Sequence, residues 1–300
     1  MKTIKNTLVI FVIFASLLYL FTGCEDENAR PLKKIKVSNI YSEEDQKLCR
    51  EKLIESGLSE EKVDKFMDMV KTYNKDVNGE LPYKNGFVET EIINTDYTKT
   101  VDEFYKNPNK IGSNCRINTF ELMLGNIEVE RSANDNTSTL DFDKNSIENE
   151  FPDLFTKDEL NKFETFYAPV QAKFSTDKKD QISEIDKAVS SRGIKWNGNI
   201  NAKIISVWFH NDDEIDGNIL FIGHTGILVP CEDKLMFIEK LSFNEPYQAL
   251  ILNNRTELSD YLMEKYDIEY NQETTRPFIF ENGTLMKNFR QNPEYDKIQK

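Results

Sequence analysis

Cys115, His224 and Glu239 are the residues of this 300-residue chain whose types and order fit acyl-transfer chemistry. The chain has only two histidines, and one of them interrupts an apolar run between two glycines, in Gly223-His224-Thr225-Gly226-Ile227-Leu228-Val229. An imidazole placed there is either a core histidine bonded to backbone or a proton-transfer group. The flanking glycines remove side chains beside it, which lets another backbone approach or leaves room for a ligand. The segment "GHTGILVPCEDKLMFIEKL" reads as a hairpin with its turn in "CED" or "CEDK". An even loop places His224 and Glu239 on one face: directly opposite with a two-residue loop, diagonal with a four-residue one. An odd loop or a bulge separates them, and Glu239 is then an exposed strand carboxylate beside Lys240. Cys115 follows Asn114, a good helix cap, and so falls in a first helical turn. The outward N–H groups and the macrodipole there favour thiolate over thiol, although a cysteine can equally be a small buried hydrophobe. Read together, sulfur is the nucleophile, imidazole the base, and the carboxylate orients the ring. The Cys115 amide and its neighbours supply oxyanion donors.

The order helix-start Cys115, strand His224, next-strand Glu239 resembles the papain-like cysteine hydrolases, especially the bacterial wall-peptidase branch called NlpC/P60. That resemblance implies a papain-like α+β fold and a cysteine peptidase or amidase acting on cell-wall or other peptides. Glu239 departs from the polar residues usual at the third place. A second likeness covers almost the whole chain: "SNCRINTFELM", "GHTGILVP", "FIEKLSFNEPYQA" and "RTELSDYLMEKYD" resemble the bacterial lipoproteins grouped as domain-of-unknown-function family 4300. It implies a lipoprotein and a shared fold, and no chemistry. The alternative to an enzyme is a non-catalytic envelope lipoprotein that binds a ligand or another protein through the same cleft.

Around the three residues, Asn114, Arg116, Tyr247 and Gln248 are the candidates for the substrate side. Arg116 either meets an acidic substrate group or pairs with Glu121 along the helix. His210, before "NDDEID", is expected at a turn. Two acidic runs begin like calcium loops and fail: from Asp212 the twelfth place is Gly223, and from Asp141 it is Pro152, so both are expected as acidic turns. No paired-cysteine or H-E-x-x-H spacing occurs, and no phosphate-cradling glycine loop, so neither a metal nor a cofactor is expected.

The elements that must carry these groups separate along the chain. Ser42 and Ser59 open helices, the second with Val63, Phe66, Met67, Val70 and Tyr73 at helical spacing. A strand is expected near Phe87–Ile93, and helices from Asn114, near Lys157–Phe166 and over Asp177–Ser191. After Gly193, strand-like runs follow one another, interrupted by the helix "TELSDYLMEKYD". The fold class expected is α+β, a helical first half packed on an antiparallel sheet in the second half.

At the front, Lys2 and Lys5 precede the apolar run Leu8–Phe21, too short to span a bilayer, and "LFTGC" resembles a lipobox. Residues 1–23 read as a signal peptide, 24–37 as a tether with a lipidated Cys24, and 38–300 as one domain. The location expected is extracytoplasmic, with the membrane as partner through the lipid and a cell-wall peptide or envelope protein as second partner. Loss of the signal removes two lysines and no acid, which moves the net charge from −14 to −16. Such a charge repels nucleic acid, and no nucleic-acid partner is expected. Cys49, Cys115 and Cys231 then remain, an odd number that leaves one thiol unpaired within the chain.

Overall fold

The computed structural model describes residues 34–91, 95–131, 137–269 and 271–292; the signal segment and Cys24 lie outside them. The first half runs β1 (Ile35–Ser38), α1 (Glu43–Glu55), α2 (Glu60–Asp76), β2 (Val88–Thr90), α3 (Thr98–Phe104), α4 (Cys115–Met123), β3 (Ile127–Glu128) and α5 (Asp141–Asn149). Then come α6 (Lys157–Tyr167), β4 (Val170–Gln171), α7 (Lys178–Arg192) and β5 (Lys195–Trp196). The second half supplies β6 (Lys203–Asp213), β7 (Gly217–Cys231), β8 (Lys234–Lys240), β9 (Tyr247–Leu252), α8 (Arg255–Tyr266), β10 (Phe278–Glu281) and β11 (Thr284–Leu285). The main sheet is antiparallel, in the order β11-β10-β6-β7-β8-β9-β1-β2, with β4 also paired to β7. The α+β class is therefore observed. Strands β1, β2 and β4 of the sheet precede Gly193, and β1 begins inside the stretch expected as a tether.

Local chemistry explains the helix starts. The Ser42 hydroxyl accepts the Asp45 N–H, Asp177 accepts that of Lys179, and Thr156 with Glu159 forms a reciprocal box. One expectation is corrected. The acidic run from Asp141 is a helix, not a turn, because Asp143, Ser146 and Ile147 are buried on one side of it and Asp143 finds cationic and amide partners there. The run from Asp212 does turn, with Asp213 Oδ1 accepting the N–H groups of Ile215 and Asp216.

Period-two alternation divides the core. Ile227, Val229, Ile238 and Ala249 face the helices of the first half, whereas Leu228, Phe237, Leu250 and Leu252 face Leu258, Tyr261 and Leu262 of α8. Full burial of such a side chain is worth about 1.5–3 kcal/mol, so both faces of the central strands are committed to packing.

The feature that matters for chemistry is the length of β7. Strand β6 accompanies it from Gly217 to Leu228, with a bulge at Gly223. Its other edge pairs with β4 at Ile219 and Leu220, and with β8 only from Gly226 onward. Between those two partners the edge from Phe221 to Thr225 is left to something else, and the first turn of α4 fills it.

Candidate functional site

Asn114 caps α4 as expected, its side-chain oxygen accepting the Ile117 N–H at 3.1 Å. The following residue, Cys115, is delivered to the free edge of β7. There its sulfur comes within electrostatic range of the His224 ring and of the backbone N–H of Thr225. One residue on, Arg116 Nη1 donates to the Ile222 carbonyl at 3.3 Å, so two successive helix residues substitute for a missing strand. Placing a helix end there also leaves the early N–H groups of α4 without intrahelical partners beside the sulfur.

His224 Nε2 is bonded to Glu239 Oε2, which leaves Nδ1 as the ring nitrogen not engaged by the carboxylate. The hairpin geometry differs from expectation in one respect. The loop does have two residues, Glu232 and Asp233, but it is centred so that Gly226 faces Glu239. His224 is therefore diagonal to the carboxylate, on the same face. The second carboxylate oxygen, Oε1, accepts Tyr261 Oη at 2.5 Å and Gln248 Nε2 at 2.7 Å. Gln248 Oε1 in turn accepts Tyr97 Oη at 3.1 Å. Tyr266 lies over the imidazole, with ring centroids 5.0 Å apart.

Charge follows this geometry. Burial alone pushes the Cys115 pKa up, but the charge and hydrogen bond of His224, then Arg116 and the Thr225 N–H, bring it below the ordinary thiol value. Burial alone pushes the His224 pKa down, yet the charges of Cys115 and Glu239 override it and raise it to about 9. Burial opposes ionisation of Glu239, but His224 and the Tyr261 hydroxyl hold its carboxyl below the usual range. The directions agree on a thiolate–imidazolium pair backed by a carboxylate. Cys115 is 6% exposed and His224 2%, so both groups are buried.

The glycines beside His224 are explained by packing. A Cβ on Gly223 would fall 2.6 Å from the Phe209 ring, and one on Gly226 would fall 2.6 Å from Phe237 and 2.7 Å from the Ile238 carbonyl. They admit neighbouring rings and backbone, and the room for a ligand that the sequence allowed is filled.

The four expected substrate-side residues have structural partners. Asn114 Nδ2 donates to Asp143 Oδ1 at 2.7 Å, and Arg116 pairs with the same carboxylate instead of Glu121. Gln248 supports Glu239. Tyr247 is buried, its hydroxyl bonded to Asn118 Oδ1 at 2.9 Å and Ser113 Oγ at 3.1 Å. His210 lies within β6 instead of at a turn; Nδ1 accepts the Thr275 N–H, so Nε2 carries the proton shared with Asn218 Oδ1. Cys49 and Cys231 are free and buried, and burial pushes both thiols up.

Sequence reasoning missed Tyr261, Tyr97, Tyr266 and Asp143. Tyr261 falls in line with Leu258 and Leu262 along α8, and a phenol among those aliphatic residues was the signal available. Asp143 fixes both neighbours of the nucleophile, while Glu150 Oε2 accepts the Ile111 and Gly112 N–H groups at 2.7 and 2.6 Å. Helix α5 thus grips the loop before Cys115. Among the described residues no group of three or more His, Cys, Asp or Glu is arranged to hold a metal.

A family described as a domain of unknown function, DUF4300, matches residues 36–286, which is most of the chain. No curated protein and no solved structure matches it.

Proposed function

The chain belongs to the DUF4300 family, and for it we propose a thiol hydrolase, a peptidase or amidase, tethered outside the cytoplasm by a lipid on Cys24. The observation that carries the reading is the meeting of Cys115, from a helix start, with His224, whose other nitrogen is held by Glu239. The same order of helix-start cysteine, strand histidine and next-strand polar group supports a papain-like relationship of the NlpC/P60 kind. Cell-wall or other peptides suit a protein so placed.

In this mechanism the Cys115 thiolate attacks a carbonyl carbon and forms a C–S bond, while the carbonyl π electrons move to oxygen. The free N–H groups at the start of α4 stabilise that oxyanion. Collapse breaks the bond to the leaving amine or alcohol, which takes its proton from the His224 imidazolium. Neutral His224 then removes a proton from water, the resulting hydroxide equivalent attacks the thioester, and the C–S bond breaks to return the thiolate and the acid. Glu239 holds the ring throughout and stabilises its cationic form.

Active-site titration with p-nitrophenyl acetate tests the reading. The wild-type protein is expected to release a burst of p-nitrophenolate near one equivalent of enzyme and to carry the acetyl group on Cys115 by mass spectrometry. Cys115→Ala, folded by circular dichroism, is expected to give no burst. Linear release that Cys115→Ala leaves unchanged contradicts it. The second reading, a non-catalytic lipoprotein that binds a ligand or envelope protein, is favoured by one observation, the near-complete burial of His224 and Cys115.

A further inference from the structure

The sheet face that carries His224 also carries aromatic rings that the core leaves partly open. Phe209 of β6 and Phe221 of β7 are directly opposed, and their rings stack with centroids 5.7 Å apart. Val207 opposes His224 in the same ladder, so strand alternation sets Phe209, two residues on, on the imidazole's face. Tyr266, the last residue of α8, completes the group. Its ring meets Phe209 edge-on at 5.8 Å and lies over His224 at 5.0 Å. Gly223 lets the two phenylalanines in. A Cβ there would fall 2.6 Å from the Phe209 ring and 3.3 Å from that of Phe221, so both rings rest on backbone one residue from the imidazole.

These three rings differ from their neighbours in exposure. Cys115, His224, Glu239 and Tyr261 are buried, whereas Phe209, Phe221 and Tyr266 are each half-buried. Phe209 and Tyr266 border the core under α8, and Phe221 belongs to neither core. Ring faces and edges whose one polar side-chain atom is the Tyr266 hydroxyl suit an aromatic or branched aliphatic group. An acidic or amide side chain laid there would give up water with no hydrogen bond from either phenylalanine. Position decides which part of a substrate reaches the rings. His224 gives its proton to the leaving amine or alcohol, and Tyr266 lies over His224, so the leaving portion is the part that meets them.

We propose that Phe209, Phe221 and Tyr266 form the subsite for a large apolar side chain on the leaving side of the scissile bond. The substrate class is then a peptide or amide with an aromatic or branched aliphatic residue at that place. The substrate role rests on the thiol-hydrolase reading, whereas the preference of the rings for apolar groups is measured without catalysis.

Ligand-observed NMR titration of the full chain carrying Cys115→Ala, with N-acetyl-phenylalaninamide, N-acetyl-glycinamide and N-acetyl-glutamate amide, tests the rings by themselves. The phenylalanine probe is expected to bind saturably, about ten-fold more tightly than the other two. Phe221→Ala is expected to remove most of that preference and Phe221→Leu to keep most of it; Tyr266→Ala gives the same loss if Phe221→Ala fails to fold. Equal binding of the three probes, or a preference indifferent to Phe221→Ala and Tyr266→Ala, overturns the proposal. With Cys115 present, kcat/KM for N-acetylglycyl-phenylalaninamide is expected to exceed that for N-acetylglycyl-glycinamide about ten-fold. N-acetylphenylalanyl-glycinamide, which moves the ring to the acyl side, is expected to gain less, and an equal gain overturns the leaving-side assignment. A binding preference in a protein that cleaves none of these and gives no Cys115 burst overturns only the hydrolase. Cleavage indifferent to the leaving residue overturns only the subsite.

Discussion

Three separate groups lower the Cys115 pKa, and removal of any one is expected to be felt at the sulfur. Burial by itself would keep it protonated; the imidazolium, Arg116 and the Thr225 amide reverse that. A second buried acid on the same helix has no such support. Both oxygens of Glu121 are enclosed without a hydrogen-bond partner, and Lys62 Nζ stands 3.9 Å away. Burial raises its pKa from 4.5 to about 7 in spite of Lys62 and Lys65. A raised folded-state pKa means that the native protein binds the proton more tightly than the unfolded chain. The stabilisation is full below pH 4.5 and is lost as pH rises through 7. The span corresponds to roughly 3 kcal/mol. Urea unfolding at pH 5 and pH 8 is therefore expected to show a smaller loss of stability in Glu121→Gln than in the wild type, and equal losses would contradict the assignment.

At the scale of elements, β7 carries most of the design. Gly226 sits where β8 begins to pair, and its missing side chain accommodates Phe237 and the Ile238 carbonyl. Gly226→Ala must displace backbone as well as a ring, so a loss of about 1–3 kcal/mol is expected in chemical denaturation. A loss near zero would show that the strand pair yields easily. The helices were largely legible because caps and apolar spacing are local: Ser42, Asn114 and Asp177 each cap where their sequence says. The shared face of His224 and Glu239 was legible from parity. The register was not, since "CED" has no glycine or asparagine to mark the turn, and Glu232 itself takes the left-handed φ of 57°. The α5 helix was hidden because its buried face is polar, and Asp143 and Ser146 are buried for partners 30 or so residues away, near Asn114 and Gly112.

At the scale of the molecule, the site exists because segments far apart in sequence converge on one strand edge. Helix α4 comes from the first half, β7 and β8 from the second, and α8 covers His224 and Glu239 with Tyr266 and Tyr261. Nothing local in the sequence announces that β4 and β8 leave an unpaired stretch of β7 between them, so the meeting was inferable only from residue types and order. The most direct measurement is the alkylation rate of each cysteine by iodoacetamide between pH 5 and pH 10, read by mass spectrometry on the folded protein. The account predicts that Cys115 reacts at neutral pH with an apparent pKa below the free-thiol value of about 8.5, that Cys49 stays silent, and that His224→Asn moves the Cys115 profile to higher pH. Cys115 that stays silent throughout, or that titrates at or above the free-thiol value and ignores His224→Asn, would contradict it.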